Sequence, residues 1–259
     1  MSQDLFGYSK EEKAIERLRM FCPPEGYYFA NSYGKDSCVC RDLLIRSGVK
    51  YDSHHNLTTV DPPELVLFGR KHHPETIVHK PSKSMWKLIA DEGIPPTRLM
   101  RYCCEYLKEN VAGSVGRMVI TGIRWEESAK RAKRKQFETC TRRKWQQKKY
   151  LHAIIDWTND EIWSYLKARK IPYCKLYDEG FKRLGCIGCP MAGGAGQKRE
   201  FLRYPKFKAA HIRAFDEMVK RRKADGRDTK WNSGEEVMAW WMSQSKGAKL
   251  DESCNPLFI

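Results

Sequence analysis

The strongest chemical signal in the chain lies in residues 27–37, where an apolar run passes into a short polar loop and then into a helix start. Residues 27–30 have the composition of a β-strand, and Gly34 is expected to take a turn conformation that a β-carbon would hinder. Lys35 adds a flexible positive charge. Because such a loop presents backbone N–H groups and the positive end of a helix dipole, these residues predict a phosphate-binding site.

The helix after this loop is predicted over 38–45, with Asp36 and Ser37 as its capping residues. The short string Gly-Lys-Asp-Ser is also compatible with an ordinary surface turn. The loop is not a Walker A motif, because the spacing Gly-x-x-x-x-Gly-Lys-Ser/Thr is missing.

The ten cysteines include two close pairs, Cys103-Cys104 and Cys186-x-x-Cys189. Together they offer the four thiolates of a zinc site or an iron–sulfur cluster, and the ligand count alone favours neither. A redox-active or merely structural pair is the alternative for Cys186 and Cys189. Adjacent residues of a helix point about 100° apart, so Cys103 and Cys104 are expected to bind one centre only from a distorted or terminal turn.

The protein is strongly basic, with 48 Lys and Arg against 32 Asp and Glu and a net charge of +16. This excess favours a polyanionic partner such as nucleic acid. Residues 130–149 are dense in Lys and Arg, contain Glu138 as their single acid, and have Phe137, Trp145 and Tyr150 among or beside them. The run is interpreted as a surface that contacts nucleic acid, as a solvated loop or as a disordered tether.

The elements that must position these residues alternate between strands and helices. Strands are predicted at 27–30, within 49–59, at 76–79 and at 118–123, and helices up to residue 21 and at 38–45, 64–72, 84–91, 97–110 and 158–170. This order predicts an α/β fold with a doubly wound, mostly parallel sheet of roughly five or six strands. Ligands bind beyond the carboxyl ends of such strands, where the turn 58–61 and the segment after Ile123 are also expected to lie.

The length of 259 residues fits one large domain with an appendage. We predict a nucleotide-binding domain over 1–192, a glycine-rich linker at 193–196, and a helical extension over 193–259 packed on that domain. No apolar run approaches the roughly 20 residues that cross a bilayer, and residues 1–5 lack a signal-peptide pattern. We therefore expect a cytoplasmic protein with no membrane contact, and the sequence is compatible with a homo-oligomer.

Four motifs of the chain resemble those of one known family. The string Ser32-Tyr33-Gly34-Lys35-Asp36-Ser37 resembles the PP-loop of the adenine nucleotide alpha hydrolase superfamily, with Tyr33 where a Gly is usual. A Cys-Cys pair followed by Cys-x-x-Cys resembles the [4Fe-4S] signature of the adenylyl-sulfate reductase branch of the phosphoadenosine phosphosulfate (PAPS) reductase family. Two further family strings are matched, in family order, by Gly122, Arg124, Ser128 and Arg131 and by Asp156, Trp157, Thr158, Ile162 and Trp163.

The resemblance implies that ATP or another adenine nucleotide binds at the PP-loop with Mg²⁺, next to a [4Fe-4S] cluster. The residues expected to contact the nucleotide are Ser32, Tyr33, Gly34, Lys35, Asp36, Ser37, Thr58, Asp61, Gly122, Arg124, Ser128 and Arg131. The expected cluster ligands are Cys103, Cys104, Cys186 and Cys189. Arg124 and Arg131 would reach phosphate or sulfate oxygens, which the forked guanidinium group binds well. Tyr33 in place of Gly is expected to loosen the approach of the backbone to a phosphate.

The resembling family contains two classes of activity. Its sulfonucleotide reductases end in Glu-Cys-Gly-Leu-His, whereas this chain has Glu252-Ser253-Cys254-Asn255. Related proteins of DNA phosphorothioation and tRNA thiolation cleave ATP into AMP and pyrophosphate and so activate nucleic acid for sulfur insertion. The basic character of the chain favours the second class, and an ATP pyrophosphatase of sulfur transfer is the principal hypothesis.

This hypothesis assigns catalytic roles to Lys35, Asp36, Arg124 and Cys254. The candidate sulfur-carrying thiols are Cys254, Cys140 and Cys174, and a cysteine desulfurase is a candidate sulfur donor. One alternative is a thioredoxin-dependent reductase that releases sulfite from adenylyl sulfate or PAPS. The other is a non-catalytic iron–sulfur subunit that binds DNA or tRNA.

Overall fold

The computed structural model describes residues 8–109, 114, 116–139 and 148–243. Two of the candidate thiols, Cys140 and Cys254, lie outside the described residues, as do residues 141–147 of the basic run. No helix in the described ranges is long and apolar enough to span a membrane.

Six short strands form one sheet. They are β1 Tyr27–Ala30, β2 Tyr51–Asn56, β3 Ile77–His79, β4 Met118–Ile120, β5 Phe137–Thr139 and β6 Lys149–Leu151. Their order across the sheet is β3-β2-β1-β4-β6-β5. Every neighbouring pair is parallel except β5 and β6, which are antiparallel at one edge. The predicted α/β fold with a mostly parallel sheet flanked by helices is therefore confirmed.

The α-helices account for about half of the remaining described chain. They are α1 Lys10–Met20, α2 Lys35–Ser47, α3 Pro63–His72, α4 Met85–Glu92, α5 Tyr102–Cys104, α6 Ala129–Ala132, α7 Asn159–Ala168, α8 Gly193–Arg203, α9 Pro205–Ala224 and α10 Gly234–Ser243. Capping boxes begin two of them, Ser9 with Glu12 before α1 and Thr158 with Glu161 before α7. The sequence predicts a helix over 158–170, which agrees with the start of the second of these helices.

The elements form two compact units that are interleaved along the chain. The first unit comprises the described residues of 1–56, 63–79 and 111–184, and it contains the sheet with α1–α3, α6 and α7. The second comprises those of 57–62, 80–110 and 185–259, and it contains α4, α5 and α8–α10. The division after residue 192 that the sequence predicts stays a prediction.

Each unit has an apolar core of its own. In the first unit, Phe29 of β1 and Leu43 of α2 are fully buried in the same cluster as Trp157, which precedes α7. In the second unit, Leu88 of α4 and Phe215 of α9 belong to one buried cluster. Burial of a large apolar side chain contributes about 1.5–3 kcal/mol, so these clusters fix the helices that carry the polar residues described below.

The prediction of one helix over 97–110 is wrong in its extent. The chain turns first, with the Thr97 N–H donating to the Met100 carbonyl at 3.0 Å. A single α-turn at Tyr102–Cys104 then continues as a π-helix over Glu105–Glu109. The two prolines that precede Thr97 supply no N–H donors to a helix and disfavour helical backbone before them.

The linker predicted at 193–196 is also wrong, because these residues form the first turn of α8. Glycine weakens a helix through its backbone entropy. Gln197 and Phe201 of the same helix are buried, however. Packing of that face outweighs the local preference of the glycines.

Candidate functional site

The PP-loop lies where the strand order of the sheet reverses. It follows β1, which has β2 on one side and β4 on the other, and it leads directly into α2. Gly34 precedes α2 with an extended backbone, φ −73°, and has no side chain to cap the helix. The amides of Asp36 and Ser37 therefore have no capping partner among the described residues, and such amides bind anions.

The prediction that Asp36 and Ser37 cap this helix is wrong, because α2 begins at Lys35 and already includes both residues. The Ser37 hydroxyl stabilises the loop instead. It accepts a hydrogen bond from the Ser32 N–H at 3.1 Å and lies 2.8 Å from the Ser32 hydroxyl. The two serine side chains thus connect the loop to the first turn of α2.

Tyr33 carries the backbone conformation that the sequence assigns to Gly34. Its φ is 60°, in the left-handed region that costs a residue with a β-carbon about 1–2 kcal/mol. The Tyr33 ring is buried and stacks on His55 with centroids 4.0 Å apart. It also faces Gly69, where a β-carbon would collide with the ring. The ring is thereby held in the core of the first unit, and its contacts offset the backbone strain.

We expect Tyr33→Gly to destabilise the protein by about 1–4 kcal/mol, since loss of a buried ring costs about 3–5 kcal/mol and relief of the strain returns about 1–2. Tyr33→Phe is the matched control, because it keeps the ring and should change stability by less than about 1 kcal/mol. Urea unfolding of the two variants measures both effects. A Tyr33→Gly protein more stable than the wild type would mean that strain outweighs packing.

A buried polar network fixes the backbone of the loop. The Tyr33 N–H donates to Asn31 Oδ1 at 3.0 Å, which directs the Asn31 amide group toward His73 Nδ1 at 2.8 Å. His55 Nδ1 donates to the Asn31 carbonyl at 2.8 Å. Because His73 accepts at Nδ1 it is neutral, and burial lowers its pKa to about 4 from an ordinary value of 6.5.

This depressed pKa predicts a loss of stability in mild acid. Below pH 6.5 the unfolded chain binds a proton at His73 that the folded protein binds only near pH 4, so the unfolded state is favoured as the pH falls through this window. The cost is up to about 3 kcal/mol at pH 4. With falling pH, the free energy of unfolding should decrease less steeply for His73→Gln than for the wild type. An equal pH dependence in both proteins would contradict the role given to His73.

Asp36 joins Lys35, at the start of α2, to Arg124, which follows β4. Its Oδ2 lies 3.0 Å from Lys35 Nζ, and its Oδ1 lies 2.7 Å from Arg124 Nε. Both cations are nearly buried, with 8% and 4% of their side chains exposed. Gly122 permits this approach, because a β-carbon there would lie 3.1 Å from Asp36 Cβ. The structure thus brings four predicted site residues together, from α2 and from the segment after β4.

The Arg124 guanidinium is held in a defined orientation. Its Nη1 donates to Glu126 Oε2 at 3.1 Å and to the Trp157 carbonyl at 3.2 Å. Its Nη2 has no hydrogen-bond partner among the described residues. The Nη2 edge of this fixed, permanently charged guanidinium is therefore available to bind an oxyanion.

The sequence did not point to Tyr177, whose hydroxyl accepts from the Lys35 N–H at 3.0 Å. It belongs to a short 3₁₀ turn, Lys175–Tyr177. A β-carbon at Gly34 would lie 3.3 Å from this hydroxyl. Tyr177 and Glu126 carry no motif by which a sequence search would find them.

Two other predicted residues make local contacts. Ser128 caps α6 and accepts from the Arg131 N–H at 3.2 Å. The Arg131 guanidinium pairs with Glu127. Their roles in nucleotide binding stay predictions.

Thr58 and Asp61 belong to the second unit. The Asp61 carboxylate accepts from the Thr58 N–H at 2.6 Å and from its hydroxyl at 2.8 Å. The Cys186 thiol donates to the same hydroxyl at 3.5 Å, and the Ile187 N–H donates to the Val60 carbonyl at 2.7 Å. This turn thus holds the segment at Cys186 and Ile187 in place. A contact of Thr58 or Asp61 with a nucleotide stays a prediction.

The four candidate metal ligands lie in the second unit and interact electrostatically with one another. They are the free thiols Cys103, Cys104, Cys186 and Cys189. The α-turn becomes a π-helix directly after Cys104. The adjacent pair therefore lies at the kind of distorted turn that binding to one centre requires.

Positive charges lie beside these thiols. The hydrogen bond from Cys103 lowers the pKa of Cys104 to about 5, and Arg101, whose Nη2 is 3.3 Å from Cys104 Sγ, acts in the same direction. The neighbouring cysteines, Cys186 first, raise the pKa of Lys108. Arg101 thus favours the thiolate of Cys104, which is the form that binds metal, whereas burial raises the pKa of Cys189.

Helix α8 holds the Cys-x-x-Cys loop in place. Its Gln197 donates to the Gly188 carbonyl at 2.9 Å, and its Glu200 accepts from the Gly188 N–H at 2.7 Å. Gly188 has φ 77°, and a β-carbon there would collide with Phe201. These supporting residues were missed from the sequence because the start of α8 was interpreted as a linker.

The four thiols fit a group with four cysteine ligands, such as a [4Fe-4S] cluster, in number and in chemistry. Within the described ranges, no group of three or more His, Cys, Asp or Glu side chains is arranged to hold a metal ion.

Comparison with known proteins identifies the family of this chain. The profile of the phosphoadenosine phosphosulfate reductase domain matches residues 26–192. The chain belongs to this family. The matched region of this PAPS reductase-family protein includes the PP-loop, Arg124 and the four thiols. Membership in an iron–sulfur branch stays a prediction.

Two relatives are each 33% identical to the chain. An adenosine 5'-phosphosulfate reductase of Shouchella clausii matches over 194 residues, 67% of this chain and 74% of that protein. An uncharacterized protein of Methanocaldococcus jannaschii matches over 168 residues, 61% of this chain but only 31% of that protein. The chain thus spans about a third of the length of this archaeal relative.

Among the solved structures that resemble this fold is the PAPS reductase from Candida auris. Its TM-score is 0.53 at 17% identity, and the match covers 72% of this chain and 97% of that one. At such an identity the likeness concerns the fold alone.

Proposed function

We propose that this protein is an ATP pyrophosphatase that activates nucleic acid for sulfur insertion, by phosphorothioation or thiolation. The observation that carries the proposal is the pair of nearly buried cations, Lys35 and Arg124, held by Asp36 at the uncapped start of α2. Buried charges and helix amides of this kind stabilise the negative charge that develops on a leaving pyrophosphate. The net charge of +16 supports nucleic acid as the acceptor.

In the proposed reaction, a nucleophilic atom of the nucleic acid attacks the α-phosphorus of ATP. The bond from that phosphorus to the bridging oxygen breaks, and pyrophosphate leaves with the electron pair. The terminal sulfur of a cysteine persulfide then displaces AMP from the activated position. A second thiolate attacks the S–S bond of the resulting adduct, which releases the sulfurated nucleic acid and leaves a disulfide. Lys35, the loop serines and Arg124 Nη2 bind the phosphate oxygens. Mg²⁺ enters with ATP, and Asp36 is its proposed carboxylate ligand.

The candidate sulfur carriers differ in chemical suitability. Cys174 is buried in the core of the first unit, and burial raises its pKa. A buried, protonated thiol is a poor nucleophile. Cys254 and Cys140 are therefore the better candidates to carry sulfur from a desulfurase-type donor.

The four cysteines of the second unit would hold the [4Fe-4S] cluster, which supplies redox-active iron and a crosslink between α5 and the Cys-x-x-Cys loop. The Thr58 hydroxyl beside Cys186 and the Arg101 guanidinium beside Cys104 would then hydrogen-bond to the ligating sulfurs. Contacts of this type tune a cluster and orient its ligands.

A side-by-side assay on anaerobically purified protein tests the proposal. ATP, adenylyl sulfate and PAPS are supplied separately, with and without single-stranded DNA or tRNA, and pyrophosphate and sulfite are measured. We expect pyrophosphate from ATP, stimulated by nucleic acid. Absence of pyrophosphate under all conditions would refute the proposal, and an intact cluster with neither product would favour a non-catalytic subunit.

A thioredoxin-dependent reductase is the second candidate, favoured by the identity to the Shouchella clausii enzyme. It predicts sulfite release from adenylyl sulfate or PAPS in the presence of thioredoxin. It also requires a nucleophilic thiol, so Cys254→Ser would abolish turnover. Sulfite formation by that variant would assign the attack to another cysteine.

A further inference from the structure

A groove in the second unit lies between α4 and α9. Its cavity of about 560 Å³ falls within the range of roughly 300–1,000 Å³ that is usual for ligand sites. Its lining residues come from these two helices alone. On α9 they recur every three or four positions, as at Lys206, Ala210, Arg213 and Glu217, so a single face of that helix lines the groove.

Two aromatic rings form one wall of the groove. Trp86 of α4 and Phe207 of α9 are half-buried, with ring centroids 6.2 Å apart and an angle of 46° between their planes. The small residues Ala90, Ala210 and Ala214 lie between the longer side chains and leave room for a flat ligand. Aromatic rings at such sites stack on nucleic-acid bases, with a gain of about 1–3 kcal/mol per base.

The indole of Trp86 also carries an unsatisfied donor. Its Nε1 is buried and has no acceptor within the described ranges. A buried donor without a partner costs about 1–3 kcal/mol. Because this donor is buried, a bound base would contact the face of the indole ring and not its N–H edge.

The rim of the groove is positively charged. Lys87, Lys206 and Arg213 are exposed and form no ion pair with any described residue. The one acid in the lining, Glu217, is paired with Arg221 at 2.8 Å. The three unpaired cations therefore leave the groove with a net positive charge that matches a phosphate backbone.

We propose that this groove binds a single-stranded segment of nucleic acid. A base stacks against Trp86 and Phe207, and the flanking phosphates contact Lys87, Lys206 and Arg213. The inference rests on the proposed function in taking nucleic acid as the acceptor. It adds a second contact surface, on α4 and α9, to the basic run at 130–149.

The charged rim is tested with a fluorescently labelled single-stranded DNA of roughly 12 nucleotides, a length within the site sizes of about 4–16 nucleotides that single-strand-binding folds cover. Anisotropy titrations of the full chain at several salt concentrations give the affinity and its salt dependence. We expect the double variant Lys206→Ala/Arg213→Ala to bind at least about tenfold more weakly. Its slope of log affinity against log salt should be shallower by about 1–2, as for two lost phosphate contacts.

The matched control is the double variant Lys208→Ala/Lys220→Ala. It removes two charges from the same helix at exposed positions that do not line the groove. We expect it to bind nearly as well as the wild type. An equal loss in both double variants would mean that only the overall charge matters, and would overturn the proposal.

The stacking wall is tested with Phe207→Ala and an abasic oligonucleotide of the same length. The variant should bind the normal strand about 5- to 100-fold more weakly and the abasic strand as well as the wild type does. Thermal unfolding identifies a Phe207→Ala protein that does not fold, in which case the charge variants decide. Equal wild-type affinity for both strands, or tighter binding of an acidic peptide than of DNA, would overturn the proposal.

The outcomes of these experiments distinguish a failure of the groove proposal from a failure of the proposed function. DNA binding that depends on Lys206 and Arg213, without pyrophosphate release from ATP, would support the groove and refute the proposed activity. Pyrophosphate release that DNA stimulates equally in the wild type and in the groove variants would support the activity and refute the groove.

Discussion

Arg124→Lys is expected to lower kcat/KM for nucleotide turnover by about 100-fold or more. The guanidinium group of Arg124 contacts Asp36, Glu126 and the Trp157 carbonyl at the same time, and it still presents Nη2. A lysine ammonium keeps the charge but lacks this planar fork. It would lose either the contacts that position it or the contact with a phosphate oxygen. Release of pyrophosphate from ATP, or of sulfite from adenylyl sulfate, measures the effect for whichever substrate is turned over.

Arg169→Lys is the matched control for this experiment. Arg169 is 44% exposed and pairs with Asp42 at 3.5 Å in the same unit, so the same chemical change should leave kcat/KM within about threefold, as for most surface substitutions. Unfolding curves for both variants separate catalysis from stability. Wild-type turnover by a correctly folded Arg124→Lys protein would exclude Arg124 from the phosphate site.

The proposed [4Fe-4S] cluster predicts that Cys186→Ser lowers the iron content of anaerobically purified protein from about four atoms per chain to below about one. Cys186 is buried, and its thiol lies against the Thr58 hydroxyl at 3.5 Å. A serine oxygen is a harder and less readily deprotonated ligand than a thiolate, so it would not complete a four-sulfur set. Iron analysis and visible absorbance give the result, and a lower unfolding temperature should accompany the loss.

The control for the cluster is Cys22→Ser. This cysteine belongs to the first unit, and its thiol lies 3.6 Å from the Pro23 carbonyl. We expect the variant to keep its iron. Zinc without iron in the wild-type protein would refute the cluster and assign the four thiols to a zinc site, and unchanged iron in Cys186→Ser would exclude that residue as a ligand.

The fold was largely predictable because its signals are local. The composition of residues 27–30 gives a strand, and the capping box of Thr158 and Glu161 gives a helix start, whatever surrounds them. Alternation of such elements then restricts the sheet to a mostly parallel order. The antiparallel edge strand β5 has no comparable local signal.

The details of the PP-loop were less predictable, because they depend on distant contacts. A sequence rule gives the left-handed backbone to Gly34, but Tyr33 adopts it because His55 and Gly69 receive its ring. The same applies to α8, where burial of Phe201 outweighs its glycines. In both places, packing energies exceed local preferences of about 1 kcal/mol.

The sequence by itself determined the family motifs, the loop after β1 and the two cysteine pairs, since each is a pattern of residue types at fixed spacing. Only the tertiary structure decided that Asp36 joins Lys35 to Arg124, that Thr58 lies against Cys186, and that Trp86 and Phe207 face one groove. Those pairs are separated by up to 128 residues. Spacing along a chain cannot specify such contacts, because they depend on how whole helices and strands pack.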